Sequence, residues 1–203
     1  WLNSPSVTLY NVASNQILTI EEDVNCQVVS STNCGGCLIA QYDFNGNAND
    51  ESGWGNHGTV NGVTLTTDRY GNANSAASFD GVSDYINLGN SSELDRFQTD
   101  FSISVWLRTP NLTSQYSQTI LSNRNSGVGG TKFGVLSTAT TGVEGNLMLS
   151  TDGVVDAVFS SDSIWVNLWT KATVTYQYNG SNNNVVNFYI NGELKNSVDN
   201  VLN

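Results

Sequence analysis

Asp80 and Asp84 flank an Asp-Gly turn in the stretch Ser78-Phe79-Asp80-Gly81-Val82-Ser83-Asp84-Tyr85-Ile86-Asn87-Leu88. Their spacing lets two carboxylates converge on one side of the turn, a place that suits a hard cation such as calcium. The same residues can instead make an Asx-turn with a solubilising charge and no cation. Upstream, the loop from Asn47 to Asn56 is dense in carboxylate and amide oxygens. Asp43, Asn45, Asn47 and Glu51 follow the opening of a helix–loop–helix calcium loop. The match then breaks: Ala48 stands where glycine is needed, Trp54 stands where a bidentate glutamate is needed, and no helical pattern flanks the loop.

Catalytic chemistry has little to work with. A serine triad needs a histidine base, and His57 is the only histidine. It lies in Gly55-Asn56-His57-Gly58, with no G-x-S-x-G elbow anywhere in the chain. Glycoside hydrolysis needs two convergent carboxylates. Here Glu21, Glu22, Glu51, Glu93, Glu144 and Glu193 are scattered, with no E-x-D-x-x-E cluster. Binding chemistry is better served. Trp54 stands between Gly53 and Gly55, where an indole suits a sugar platform or a lid over the edge of the fold. With its loop neighbours Asn56 and His57 it makes the candidate ligand-binding set. Trp106 and Trp169 belong to strand patterns and are expected in the core.

Cys26, Cys34 and Cys37 all lie before the main β pattern. A redox reading of Cys34-Gly35-Gly36-Cys37 would need a βαβ context, and zinc would need a fourth ligand. One disulfide, Cys26 with Cys34 or Cys37, fits an oxidising compartment. The third cysteine is then unpaired or intermolecular.

The elements that carry these residues read as strands. Phe101, Ile103, Val105 and Leu107 share one face, with Ser102, Ser104, Trp106 and Arg108 on the other. Ala172, Val174 and Tyr176 oppose Lys171, Thr173 and Thr175, and Val186, Phe188 and Ile190 oppose Asn187, Tyr189 and Asn191. Ala40, Tyr42 and Phe44 alternate with Gln41 and Asp43, which predicts a first strand with one buried face. Val60-Asn61-Gly62-Val63 and Asn191-Gly192 are hairpin signals. No stretch of helix length shows the helical period. Short strands between turn signals predict an all-β antiparallel sandwich. Residues 1–37 hold only short β-like runs, Val7-Thr8-Leu9-Tyr10, Ile17-Leu18-Thr19-Ile20 and Gln27-Val28-Val29-Ser30, and end in a Ser/Gly/Cys-rich linker. They read as an N-terminal extension, 1–37, before a domain over 38–203.

Composition bounds the partners. Only 12% of the 203 residues are charged, so Asn, Ser, Thr and Gly must carry the surface, as in many extracellular β proteins. A net charge of −11 argues against nucleic acid and anionic membranes, both of which ask for Lys and Arg. No apolar run approaches the roughly 18 residues that a membrane helix needs. The chain opens at Trp1 without a visible leader, as a processed form or a fragment would.

Five blocks occur in order: Asp43-Phe44-Asn45-Gly46-Asn47-Ala48-Asn49-Asp50-Glu51-Ser52-Gly53 with Gly55-Asn56-His57-Gly58; Asp68-Arg69-Tyr70-Gly71-Asn72-Ala73; Phe79-Asp80-Gly81; Phe101-Ser102-Ile103-Ser104-Val105-Trp106; and Phe188-Tyr189-Ile190-Asn191-Gly192. In this order the chain, from about Leu38 to its end, resembles a laminin G-like domain of the bacterial type, in the concanavalin A-like lectin/glucanase superfamily. The resemblance implies a jelly-roll sandwich, lectin-like rather than glucanase-like. It also implies a calcium ion at the sandwich edge, with Asp50, Asp80 and Asp84 as the candidate ligands. Relatives continue past the Asn191-Gly192 hairpin with a further strand pair, so the resemblance also implies a domain incomplete at its C-terminus.

The expected function is a non-catalytic recognition or adhesion module, extracellular or at the cell surface, that binds glycan or a protein. The alternative is a structural subunit of a filament or array, built when residues 1–37 add a strand to a neighbour.

Overall fold

The computed structural model describes residues 7–10, 16–18, 38–92, 94, 100–110, 112, 118–123, 130–136, 145–150, 158–179 and 183–201. Cys26, Cys34 and Cys37 lie outside the described residues. Fourteen strands form, and no helix is found among the described residues. They are β1 (Val7–Tyr10), β2 (Gln16–Leu18), β3 (Thr59–Asn61), β4 (Thr64–Thr66), β5 (Ala76–Ser78), β6 (Tyr85–Gly89) and β7 (Phe101–Leu107). The rest are β8 (Gln118–Ser122), β9 (Lys132–Val135), β10 (Asn146–Ser150), β11 (Val158–Ser163), β12 (Thr170–Gln177), β13 (Asn184–Ile190) and β14 (Glu193–Val201). One sheet has the order β11-β10-β9-β8-β1-β6-β3, and the other β14-β13-β12-β7-β2-β5-β4. Neighbouring strands pair antiparallel in both sheets.

The alternating residues do what their spacing predicts. Ile103, Val105 and Leu107 of β7, Ala172, Val174 and Tyr176 of β12, and Val186, Phe188 and Ile190 of β13 enter one core. Phe133 and Val135 of β9 with Leu147 and Leu149 of β10 meet them from the other sheet. Phe101 and Tyr176 stack, with ring centroids 5.1 Å apart, where β7 and β12 run side by side.

Two expectations are corrected. Residues 38–44 keep their alternation, with Ala40, Tyr42 and Phe44 buried, but they form irregular chain and not a strand. The segment bonds to a loop instead: the Gln41 N–H donates to the Asp50 carboxylate, and the Gln41 carbonyl accepts from Glu51 N. The Asn61-Gly62 turn does not close a hairpin. It carries the chain from β3 in one sheet to β4 in the other. The Asp80–Asp84 turn makes the same kind of crossing, from β5 to β6. The two crossings meet. Gly62 holds φ +78°, and a Cβ built there would lie 2.0 Å from Asp84 Oδ1. The left-handed backbone favours glycine at this position, and an added methyl would have to displace the Asp84 carboxylate.

Two strands of the N-terminal extension lie within the sheets. β1 lies between β6 and β8 in one sheet, and β2 lies between β5 and β7 in the other. Residues 7–10 and 16–18 are thus interior strands of the sandwich, not an appendage to it. They occupy this chain's own sheets, so strand donation to a neighbour draws no support from their placement. At the opposite edge, Lys195 of β14 ion-pairs with Asp162 of β11 (3.0 Å) and with Glu193 (2.9 Å), tying the two edge strands together.

Candidate functional site

Asp50 organises the first candidate loop. It is only 5% exposed, so its charge needs internal partners. Its Oδ1 accepts from Gln41 N (3.0 Å) and Ser52 N (2.9 Å), and its Oδ2 accepts from Asn56 N (2.9 Å). Burial pushes the carboxyl up, but the hydrogen bonds from the Ser52 side chain and from the Gln41, Ser52 and Asn56 backbone outweigh it and hold the pKa below the ordinary value. The Asp50 N–H donates to His57 Nδ1 (3.0 Å). Asn56 is also buried: its Nδ2 donates to the Ile39 carbonyl (3.0 Å), its Oδ1 accepts from Ser91 Oγ (2.6 Å), and its carbonyl accepts from the Tyr42 hydroxyl. Burial, and then the nearby Asp50 charge, push the Tyr42 hydroxyl pKa up.

Of the predicted ligand-binding set, then, Trp54 (45% exposed) and His57 face solvent, while Asn56 is turned inward with its amide engaged. Trp54 sits at the tip of a Gly-Trp-Gly turn, with Gly53 at φ +92° and Gly55 at φ +77°. The Trp54 backbone N–H donates to Ser52 Oγ (3.3 Å), so the tip is tied to the buried knot below it.

The Asp80 turn is self-contained. Asp80 Oδ1 accepts from Val82 N (2.8 Å), Ser83 N (2.9 Å) and Asp84 N (3.1 Å), and Asp84 Oδ2 accepts from Asp80 N (2.9 Å). The backbone N–H groups of Val82, Ser83 and Asp84 hold the Asp80 carboxyl below its ordinary pKa. Of the two sequence readings of this turn, the geometry is that of the Asx-turn. Asp50 lies in a different loop from the Asp80 and Asp84 turn. Asp50 is committed to the knot, and among the described residues no three His, Cys, Asp or Glu side chains are placed to hold a metal ion. Calcium asks for about six to eight oxygens.

A second surface escaped the sequence reading. Trp106 and Trp169 pack against the core but stay half-buried on the outer side of the β7/β12 pair, each under a guanidinium. Arg69 lies over the Trp106 ring (4.6 Å to its centroid) and over Tyr70 (4.3 Å), and Arg108 lies over Trp169 (5.5 Å). Next to them the loop Trp165-Val166-Asn167-Leu168 presents Trp165 at 72% exposed and Leu168 at 59%. It is pinned by Asn167 N donating to the Thr109 carbonyl (2.7 Å) and by Ile164 N donating to the Gly145 carbonyl (2.8 Å). The available signal was the alternation that set Trp106 and Arg108 opposite the apolar residues of β7. Arg69, brought in from a distant loop, had none.

Comparison with curated proteins and with solved structures yields no match. A family profile does match, over residues 80–202, more than half of the chain and running from the Asp80 turn through β14. The Asp50 and Trp54 loop lies outside that span, although the blocks noted in the sequence extend over it. The sandwich and this match together place the chain in the laminin G family of the concanavalin A-like lectin/glucanases superfamily.

Proposed function

We propose that this chain is a non-catalytic, extracellular recognition module that binds glycan or a protein partner, with glycan favoured by its displayed aromatics. The observation that carries the reading is Trp165, largely exposed on a loop whose backbone is pinned at two points. An indole held out from a rigid frame stacks on a sugar face at little entropic cost. Trp54 on its glycine turn offers a second such platform. Family membership supports a carbohydrate- or protein-binding role.

Binding rather than catalysis fits the acid–base groups. His57 Nδ1 accepts from the Asp50 backbone N–H, and the Asp50 carboxylate is taken up by backbone donors, so both serve to hold the loop. An extracellular setting fits the weakly charged, Asn/Ser/Thr/Gly-rich composition. The test is a glycan array probed with the protein and with Trp165→Ala and Trp54→Ala. Selective binding that either variant weakens supports the reading. A blank array with folded protein overturns the glycan reading.

A further inference from the structure

The outer face of β7 and β12 joins into one continuous strip. Asn167 N bonds to the carbonyl of Thr109, which puts the Trp165 loop beside Arg108. Arg108 covers Trp169. Two residues along β12, Lys171 is the cross-strand partner of Trp106. Arg69 covers Trp106 and reaches Tyr70, its Nη2 donating to the Tyr70 hydroxyl (2.9 Å). Tyr70 is 73% exposed, so the strip ends in an open aromatic ring on either side.

We infer that this strip binds an acidic glycan, its pyranose rings meeting Tyr70 and Trp165 and its carboxylate or sulfate groups meeting Arg69 and Arg108. The inference rests on the glycan-binding reading above and narrows it to a ligand class. Charge complementarity carries it. The chain has only 7 Lys and Arg against 18 Asp and Glu, yet Arg69 and Arg108 both lie over rings of this face. The ion pairs recorded among the described residues both belong to Lys195, so neither Arg69 nor Arg108 is neutralised by one of them. A guanidinium carried over a ring face keeps a planar fork of N–H donors for an anion. The rest of the molecule is anionic, so only a local, oriented contact can hold a polyanion here.

Glycan fits this face better than an acidic peptide does. β7 and β12 each have neighbours on both sides, so no backbone edge is open for strand addition. Beside the strip lie the half-buried side chains of Thr175 and Asn187, suited to sugar hydroxyls, with Asn187 Nδ2 donating to Thr175 Oγ1 (3.2 Å).

The test measures binding of the full chain to polygalacturonate, to dextran sulfate, to neutral dextran and to poly-glutamate, at low and at high salt. Three proteins are compared: the native chain, Arg69→Gln/Arg108→Gln, and the charge-keeping Arg69→Lys/Arg108→Lys, each checked for its β-type circular dichroism. The expected result is salt-sensitive binding to an acidic polysaccharide, weakened about tenfold or more in the Gln pair and largely retained in the Lys pair. Equal binding by the native chain and the Gln pair overturns the inference, as does tighter binding to poly-glutamate. Binding to neutral dextran alone overturns it while leaving the glycan reading intact. No binding to any polysaccharide overturns both.

Discussion

At the residue scale, Asp50 and Asp80 do different work. Asp50 is a buried carboxylate that holds three backbone N–H groups, so its removal leaves them unsatisfied. Asp50→Ala is expected to destabilise the fold by on the order of 3 kcal/mol, read from urea denaturation. Asp50 and Asp80 both titrate below their ordinary values in the folded chain. A depressed carboxyl pKa contributes stability that is present above the unfolded-state value, about 4, and is lost as the pH falls through the folded-state value. Stability is therefore expected to be flat from neutral pH to about pH 4 on this account and to fall below it. Asp80→Asn keeps an acceptor oxygen for the turn but no longer titrates, so its acid limb should be shallower in thermal melts. A mutant curve that overlays the native one across the acid range would dismiss this role.

Trp54 and Gly62 show how exposure divides consequence. Trp54→Ala removes an exposed ring at an open tip and is expected to shift the melting temperature little while weakening any glycan contact made there. Gly62→Ala places a methyl against the Asp84 carboxylate from a left-handed backbone. The expected loss is on the order of 2 kcal/mol or more, because the strain and the clash add. A melting temperature unchanged by Gly62→Ala would mean that the two crossings can separate.

At the element scale, the N-terminal strands are the test of the architecture. With β1 seated between β6 and β8, and β2 between β5 and β7, deletion of residues 1–37 opens a gap inside both sheets. The truncated chain is expected to lose its cooperative unfolding transition and to aggregate through the bared strand edges. A truncated chain that stays monomeric by light scattering and melts like the native one would show that β1 and β2 are dispensable. At the other end of the chain lies β14. The family match runs through it, and its Lys195 reaches β11 across the sandwich edge.

At the scale of the whole molecule, the charge balance gives a chain that repels polyanions overall and attracts them at one strip. The same balance made calcium an attractive expectation, but the carboxylates that were to share the ion are engaged with backbone donors in separate loops. Titration of calcium or of a chelator into dialysed protein is therefore expected to leave the melting temperature unchanged. A calcium-dependent rise would reveal native-state binding by other oxygens.

What the sequence determined by itself was local. Period-2 alternation set which residues of β7, β12 and β13 enter the core, because a strand's side chains alternate whatever lies beyond it. The Asp-Gly chemistry of residues 80–81 likewise declared a turn, because that bonding closes within a few residues. What the tertiary structure alone decided was non-local. A turn's own residues do not say whether the next strand stays in its sheet or crosses to the other, so Asn61-Gly62 read as a hairpin and proved a crossing. Asn56 offered a ligand's amide until Ser91 and Ile39 claimed it. Trp106 and Trp169 read as core because an indole's free energy favours burial. Their outer faces are covered instead by Arg69 and Arg108, and the arrival of Arg69 from another loop is set by the packing of the sandwich, not by any spacing along the chain.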